Sequence, residues 1–224
     1  MNLSTYFLIA HISMLSVLIP ILIGIWKYKT LDSTLKLVLL WLCFSGLFDL
    51  ACFMIANDYI LAHRNSNNMI VVNVYPAVQV VFISLIYQRF FKSSVRQILL
   101  SISILSILFI LWQYFLNNGF YELKSLSLGL STIVGLLYLL GYFSLFLIEK
   151  IDIDYSYNHE SLLWISSGTL LFFAGSFVVV TGYDIISKYK HIFHPYIFHL
   201  IPRIIMNLAI FIGFLVYKGI PKND

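Results

Sequence analysis

Residues 37–56 read LVLLWLCFSGLFDLACFMIA, twenty residues with Asp49 as the one charged side chain. A helix of that length spans about 30 Å, which is the thickness of a bilayer's hydrocarbon core. The stretch is therefore read as a transmembrane helix. Moving outward from it, long apolar runs between islands of charge place a first span within Tyr6–Trp26 and a third over Met69–Gln88. The fourth covers Ile98–Leu116, the fifth Leu126–Ile148, the sixth Leu162–Tyr183 and the seventh Tyr196–Tyr217. The expectation is an all-α integral membrane bundle of seven spans, occupying residues 1–224 as a single domain.

Composition agrees. The 224 residues are 60% hydrophobic and only 11% charged, where soluble chains carry about 25% charged residues. A water-soluble fold has no way to hide that much apolar surface, so lipid must act as solvent and as a partner of the chain. The net charge of +4 then records topology and does not point to nucleic acid. Lys27, Lys29, Lys36, Arg89, Lys92, Arg96, Lys150, Lys218 and Lys222 fall on one side of the expected bundle. Arg64, Lys124, Lys188 and Lys190 fall on the other. Basic residues in short loops stay in the cytoplasm, which predicts the N-terminus outside and the C-terminus inside. Glu149, Asp152, Asp154 and Glu160 make one inner loop acidic, but acidic residues weigh little in that rule. Isoleucine, phenylalanine, tyrosine, asparagine and lysine usage suggests an AT-rich bacterial genome, and hence the inner (plasma) membrane.

Packing signals are visible too. Ser161, Gly168, Gly175 and Gly182 recur every seven residues in the sixth span, and Ser127, Ser131 and Gly135 every four in the fifth. Small residues let helix backbones approach closely in lipid. These seams are read as packing without chemistry. Cys43 and Cys52 are nine positions apart, about 13 Å along one helix and too far to bridge. A weak internal echo pairs Trp41 and Ser45-Gly46 with Trp164 and Ser167-Gly168, and Pro76 with Pro202. A 3+1+3 parallel repeat of the kind found in some transporters would produce it.

An ionisable side chain within a span is costly and marks a functional position. Asp49 and Arg203 both lie near the centres of their spans, so a facing pair is one expectation. The alternative keeps them apart, with Arg203 snorkelling outward and Asp49 protonated. His11, Asn73, Gln79 and Gln113 lie at similar or more external depth, and His199, Arg203 and Asn207 share one helix face at spacings of four. The candidate ligand-binding residues are thus His11, Asp49, Asn73, Gln79, His199, Arg203 and Asn207, lining a polar cavity that opens outward. His191 and His194 are three apart, but Pro195 interrupts their helix. No metal and no cofactor is expected. No lysine precedes Lys218 in the seventh span, which argues against a retinal Schiff base. No phosphate loop and no HExxH is present.

Ser45 and Asp49, four apart, resemble the serine and aspartate of membrane hydrolases of the alkaline ceramidase type. Those carry a His-x-x-x-His signature in their last helix; here His194 and His199 are five apart. Asn67–Phe91 (NNMIVVNVYPAVQVVFISLIYQRFF) is similar to the third helix of uncharacterised bacterial seven-helix proteins related to the membrane sensor portions of histidine kinases. Trp164–Phe173 (WISSGTLLFF) and Asn207–Phe214 (NLAIFIGF) are similar to their sixth and seventh. That resemblance implies a sensor. The leading expectation is a receptor in which a small molecule or lipid enters from the outer face and shifts the sixth and seventh spans, signalling to a separate cytoplasmic partner. A small-solute transporter, a zinc-dependent intramembrane lipid hydrolase and a purely structural subunit are the other readings.

Overall fold

The computed structural model describes residues 3–56, 69–116, 125–148, 159–188 and 197–219, and these are 92% helical. The helices are α1 (Leu3–Ser16), α2 (Leu18–Trp26), α3 (Ser33–Ala56), α4 (Met69–Tyr87), α5 (Ser93–Leu116), α6 (Ser125–Ile148), α7 (His159–Lys188) and α8 (Ile197–Val216). Among them α1 and α2 make one span, so seven helical segments are long and apolar enough to cross a membrane. The chain is a multi-pass membrane protein by that measure.

The first span is not the continuous helix expected. It breaks at Val17, because Pro20 has no N–H to give the Ser16 carbonyl and its ring crowds that carbonyl. Two boundaries also move. Asp32 accepts the Leu35 N–H at 2.8 Å and starts α3 ahead of Lys36, as an N-cap aspartate does. The third span ends in a short 3-10 turn, Gln88–Phe90, before Phe91 turns extended and α5 begins.

The spans form a closed ring. The first packs on α3 and α8, α3 on α4, α4 on both α5 and α6, α6 on α7, and α7 most extensively on α8. Inside lie Leu35, Val38, Trp41 and Leu42 of α3, Ile83, Ile86 and Tyr87 of α4, Tyr138 and Leu139 of α6, Ile165 and Phe173 of α7, and Ile210 and Phe214 of α8, all 2% exposed or less. The outer surface is apolar as well: Leu47, Leu105, Leu108, Leu140, Leu171 and Leu208 are among its exposed side chains. A chain that is oily inside and outside is built for lipid contact.

Where apolar surface is present on both sides, close packing decides which helices associate. The α7 seam turns to α8. Ser161 Oγ donates to the Gly213 carbonyl at 2.7 Å, and at Gly168 an added Cβ would stand 2.4 Å from the Ala209 Cβ. The α6 seam turns to α7, with Phe173 lying over Gly135. The internal echo finds no counterpart in environment. Trp41 is buried while Trp164 is 43% exposed, and Ser45 is buried while Ser167 faces outward.

Hydrogen bonds fasten α8 to the first span at three levels. Ser13 Oγ donates to the Leu200 carbonyl at 3.4 Å, and Asn207 Nδ2 donates to Ser16 Oγ at 2.7 Å. At the far end Lys27 Nζ donates to the carbonyls of Phe214, Leu215 and Tyr217 at 2.9, 2.9 and 3.1 Å. Carbonyls at a helix C-terminus lack intrahelical donors, and a lysine there meets both that need and the helix dipole. Partial burial lowers the Lys27 pKa below the ordinary lysine value.

Gly168→Ala is expected to lower stability by about 1–3 kcal/mol through overpacking at the α7–α8 contact. Gly46→Ala, whose Cβ would meet its nearest neighbour at 3.5 Å, is expected to be neutral or mildly stabilising. Thermal unfolding of both variants in the same detergent checks the contrast.

Candidate functional site

Within one half of the ring the helices separate around a cavity of about 320 Å³. Its wall takes Phe48, Asp49 and Cys52 from α3, Val71, Val72, Tyr75 and Gln79 from α4, and Leu128, Ser131 and Thr132 from α6. From α7 come Phe172, Ser176 and Val179, and from α8 come His199, Arg203 and Met206. Most sit toward the end of the bundle where α3 finishes and α4, α6 and α8 start, while Gln79, Phe172 and Met206 reach its middle. The other half is filled by the tight core around Leu35, Ile86, Tyr138, Leu139 and Phe214. Several polar groups in that half pair with one another: Ser84 with Ser103, Ser103 with Tyr138, and Tyr87 with Ser166.

Asp49 and Arg203 do meet. Arg203 Nη2 donates to Asp49 Oδ2, and the two side chains are 14% and 18% exposed. They lie about 5–7 Å from the midpoints of α8 and α3 at 1.5 Å per residue, both displaced toward the cavity end. Asp49 is less central than the sequence boundaries imply, because α3 begins four residues earlier than expected, while Arg203 keeps its expected depth. The same guanidinium nitrogen donates to Ser45 Oγ at 3.2 Å, and Tyr75 Oη donates to that oxygen at 3.1 Å. Ser45 thus joins α3, α4 and α8 through two incoming hydrogen bonds. The arrangement satisfies what a buried charge needs: a counter-ion and further hydrogen bonds.

One helical turn before Arg203 on α8, His199 Nδ1 shares a hydrogen bond with Ser176 Oγ at 2.9 Å. Its ring lies against Phe172, with centroids 5.0 Å apart. Ser131 and Thr132 each donate to the Leu128 carbonyl within α6. Gln79 differs from all of these. It is 5% exposed, lines the cavity and makes no hydrogen bond among the described residues. It stands one turn from Tyr75 on the same face of α4.

Four of the seven sequence-predicted residues therefore converge: Asp49, Gln79, His199 and Arg203. Three do not reach the cavity. His11 is on the exposed side of the first span against Phe53, centroids 6.3 Å apart. Asn207 points away from the cavity to Ser16, although it shares the spacing of His199 and Arg203. Asn73 is buried at 2% exposure outside the wall, as is Gln113 at 9%. Ser131, read as a packing residue, lines the cavity as well. Tyr75, Ser176 and Thr132 carry no signal in the sequence, being common residues in apolar surroundings. Tyr75 falls four before Gln79, the one spacing that could have found it.

Among the described residues no group of three or more His, Cys, Asp or Glu side chains is placed to hold a metal ion. His191 and His194 lie outside the described residues. No protein-family model, curated protein or solved structure matches the chain.

Removing one member of the ion pair leaves the other charged and unpaired, a loss of about 3–5 kcal/mol for buried pairs. Asp49→Leu and Arg203→Met are each expected to destabilise strongly, and the double variant less than either single one. A double-mutant cycle of unfolding free energies in micelles measures this; additive losses would contradict a direct pair.

Proposed function

We propose that this chain is a small-ligand receptor of the bacterial plasma membrane, with its N-terminus outside and its C-terminus in the cytoplasm. The observation that carries the reading is that packing closes one side of the cavity: its wall gathers around the Asp49–Arg203 pair, and the bundle beyond, around Leu35, Ile86, Tyr138 and Phe214, is tightly filled. A pocket closed on that side suits binding and release at one face, while a transport path needs a second opening.

The basic residues set the orientation. Lys27, Lys29, Lys36, Arg89, Lys92 and Arg96 gather at the end opposite the cavity, which is cytoplasmic by the positive-inside rule. The pocket then faces outward. At 320 Å³ it is at the small end of ligand sites, and its apolar walls with a few convergent polar groups have the usual make-up of one.

Output runs through α8. This helix supplies His199 and Arg203 to the pocket, and its other end is held by Lys27. A ligand that shifts the Arg203 network moves α8 as a unit against α7 and the first span. A cytoplasmic signalling partner reads the change at the inner surface around Lys27, Lys92 and Arg96. Such a shift is no larger than the ligand's difference in affinity between the two arrangements.

Native mass spectrometry of gently extracted protein is expected to show a retained small organic molecule, lost in Arg203→Ala. Cys52, in the cavity wall, provides a second check in a Cys43→Ser background. A membrane-impermeant thiosulfonate is expected to label Cys52 from the outer face and never from the cytoplasmic face. Labelling from both faces would make the protein a transporter with alternating access. Labelling from neither, with no retained molecule, would leave a structural subunit.

A further inference from the structure

The pocket's own chemistry narrows what it binds, given the reading of it as a ligand site. The carboxylate and guanidinium of its wall, Asp49 and Arg203, pair with each other and cancel. Bringing a net charge into such a site costs several kcal/mol of desolvation with no free counter-ion to offset it. Within the fixed pair, Arg203 Nη2 serves both Asp49 Oδ2 and Ser45 Oγ. His199 is engaged by Ser176, and Ser131 and Thr132 by a backbone carbonyl. One wall residue, on α4, spends none of its capacity. Gln79 offers an amide oxygen and an amide NH2 with no hydrogen-bond partner among the described residues, at 5% exposure in the cavity wall. On the same helix Pro76 gives no N–H to the carbonyl of Val72, another wall residue. One wall of the pocket therefore presents the free amide donor and acceptor of Gln79 together, and apolar side chains line the rest: Phe48, Leu128, Phe172, Val179 and Met206.

We propose that the pocket binds a net-uncharged molecule with an apolar body and an amide group, recognised by Gln79. A side-chain amide pairs with a ligand amide through two complementary hydrogen bonds, one donated and one accepted. A carboxylate could only accept from Gln79, and an ammonium could only donate to it. Either would leave half of the glutamine unpaired and bring in a charge. A purely apolar ligand would cover both halves without pairing either, and an unmade buried hydrogen bond is the expensive case.

The test uses three probes with the same eight-carbon chain: octanamide, octanoate and octylamine. Each is radiolabelled and dialysed to equilibrium against the full chain in phosphatidylcholine nanodiscs, with empty discs subtracted to remove partition into lipid. Octanamide is expected to saturate at one site per chain, with octanoate and octylamine at least about tenfold weaker, the factor set by one lost hydrogen bond and an added charge. Gln79→Leu is expected to weaken octanamide about tenfold and leave the other two nearly unchanged. The wild-type ranking stands without any variant, so a misfolded Gln79→Leu protein does not remove the test. Octanoate or octylamine binding as tightly as octanamide would overturn the amide class while keeping the pocket. An octanamide affinity indifferent to Gln79→Leu in a folded protein would overturn the role of Gln79. Absence of a saturable site for all three probes would overturn the pocket reading itself.

Discussion

A guanidinium inside an apolar bundle must find a counter-ion and further acceptors, because lipid offers neither. Arg203 meets that demand by reaching across from α8 to Asp49 and Ser45 on α3. Much of the surrounding architecture follows. Neither α3's nor α8's principal packing partner is the other, so the side chains bridge a gap that the backbones leave open. That gap is the floor of the cavity. Tyr75 completes the bridge from α4 by donating to the same serine, and the apolar walls close around a polar centre that no longer needs water.

The position of α8 is over-determined on its other faces. Gly168 and Gly213 allow α7 to approach at contact distance, and the first span holds α8 through Ser13, Ser16 and Lys27. The break at Val17 has a use in this setting. It bends the first span next to Ser16, where Asn207 docks. Contacts along the length of α8 thus join the level of Arg203 to the Lys27 cap within one element.

The spans are legible in the sequence because the thickness of hydrocarbon leaves a one-dimensional signature: about twenty residues without charge. Depth is legible in the same way, since counting residues along each span is enough to bring Asp49 and Arg203 to one level. Azimuth is not. His11, Asn73 and Asn207 lie at plausible depths, yet they turn away from the cavity, since a helix that is apolar on every side gives no sign of which face is inward. The contribution of Ser45 and Tyr75 is equally hidden, because serine and tyrosine are common in such helices and only a charged neighbour makes them matter. Small-residue spacing does better: the seam through Ser161 and Gly168 lies against α8 as close packing requires. Pro20 is a missed signal, its lost hydrogen bond being as readable as those at Pro76 and Pro202.

The Lys27 cap also bears on how the chain is made. Lys27 follows the first span and leaves the ribosome early, while the carbonyls of Phe214, Leu215 and Tyr217 emerge nearly two hundred residues later. Until α8 inserts, the ammonium waits among lipid headgroups. Once α8 arrives, its C-terminal carbonyls meet a donor already in place, and the ring closes between its oldest and newest members. Among the described helices α8 is thus the one that closes the ring, and the cavity wall, which includes Arg203, is incomplete without it.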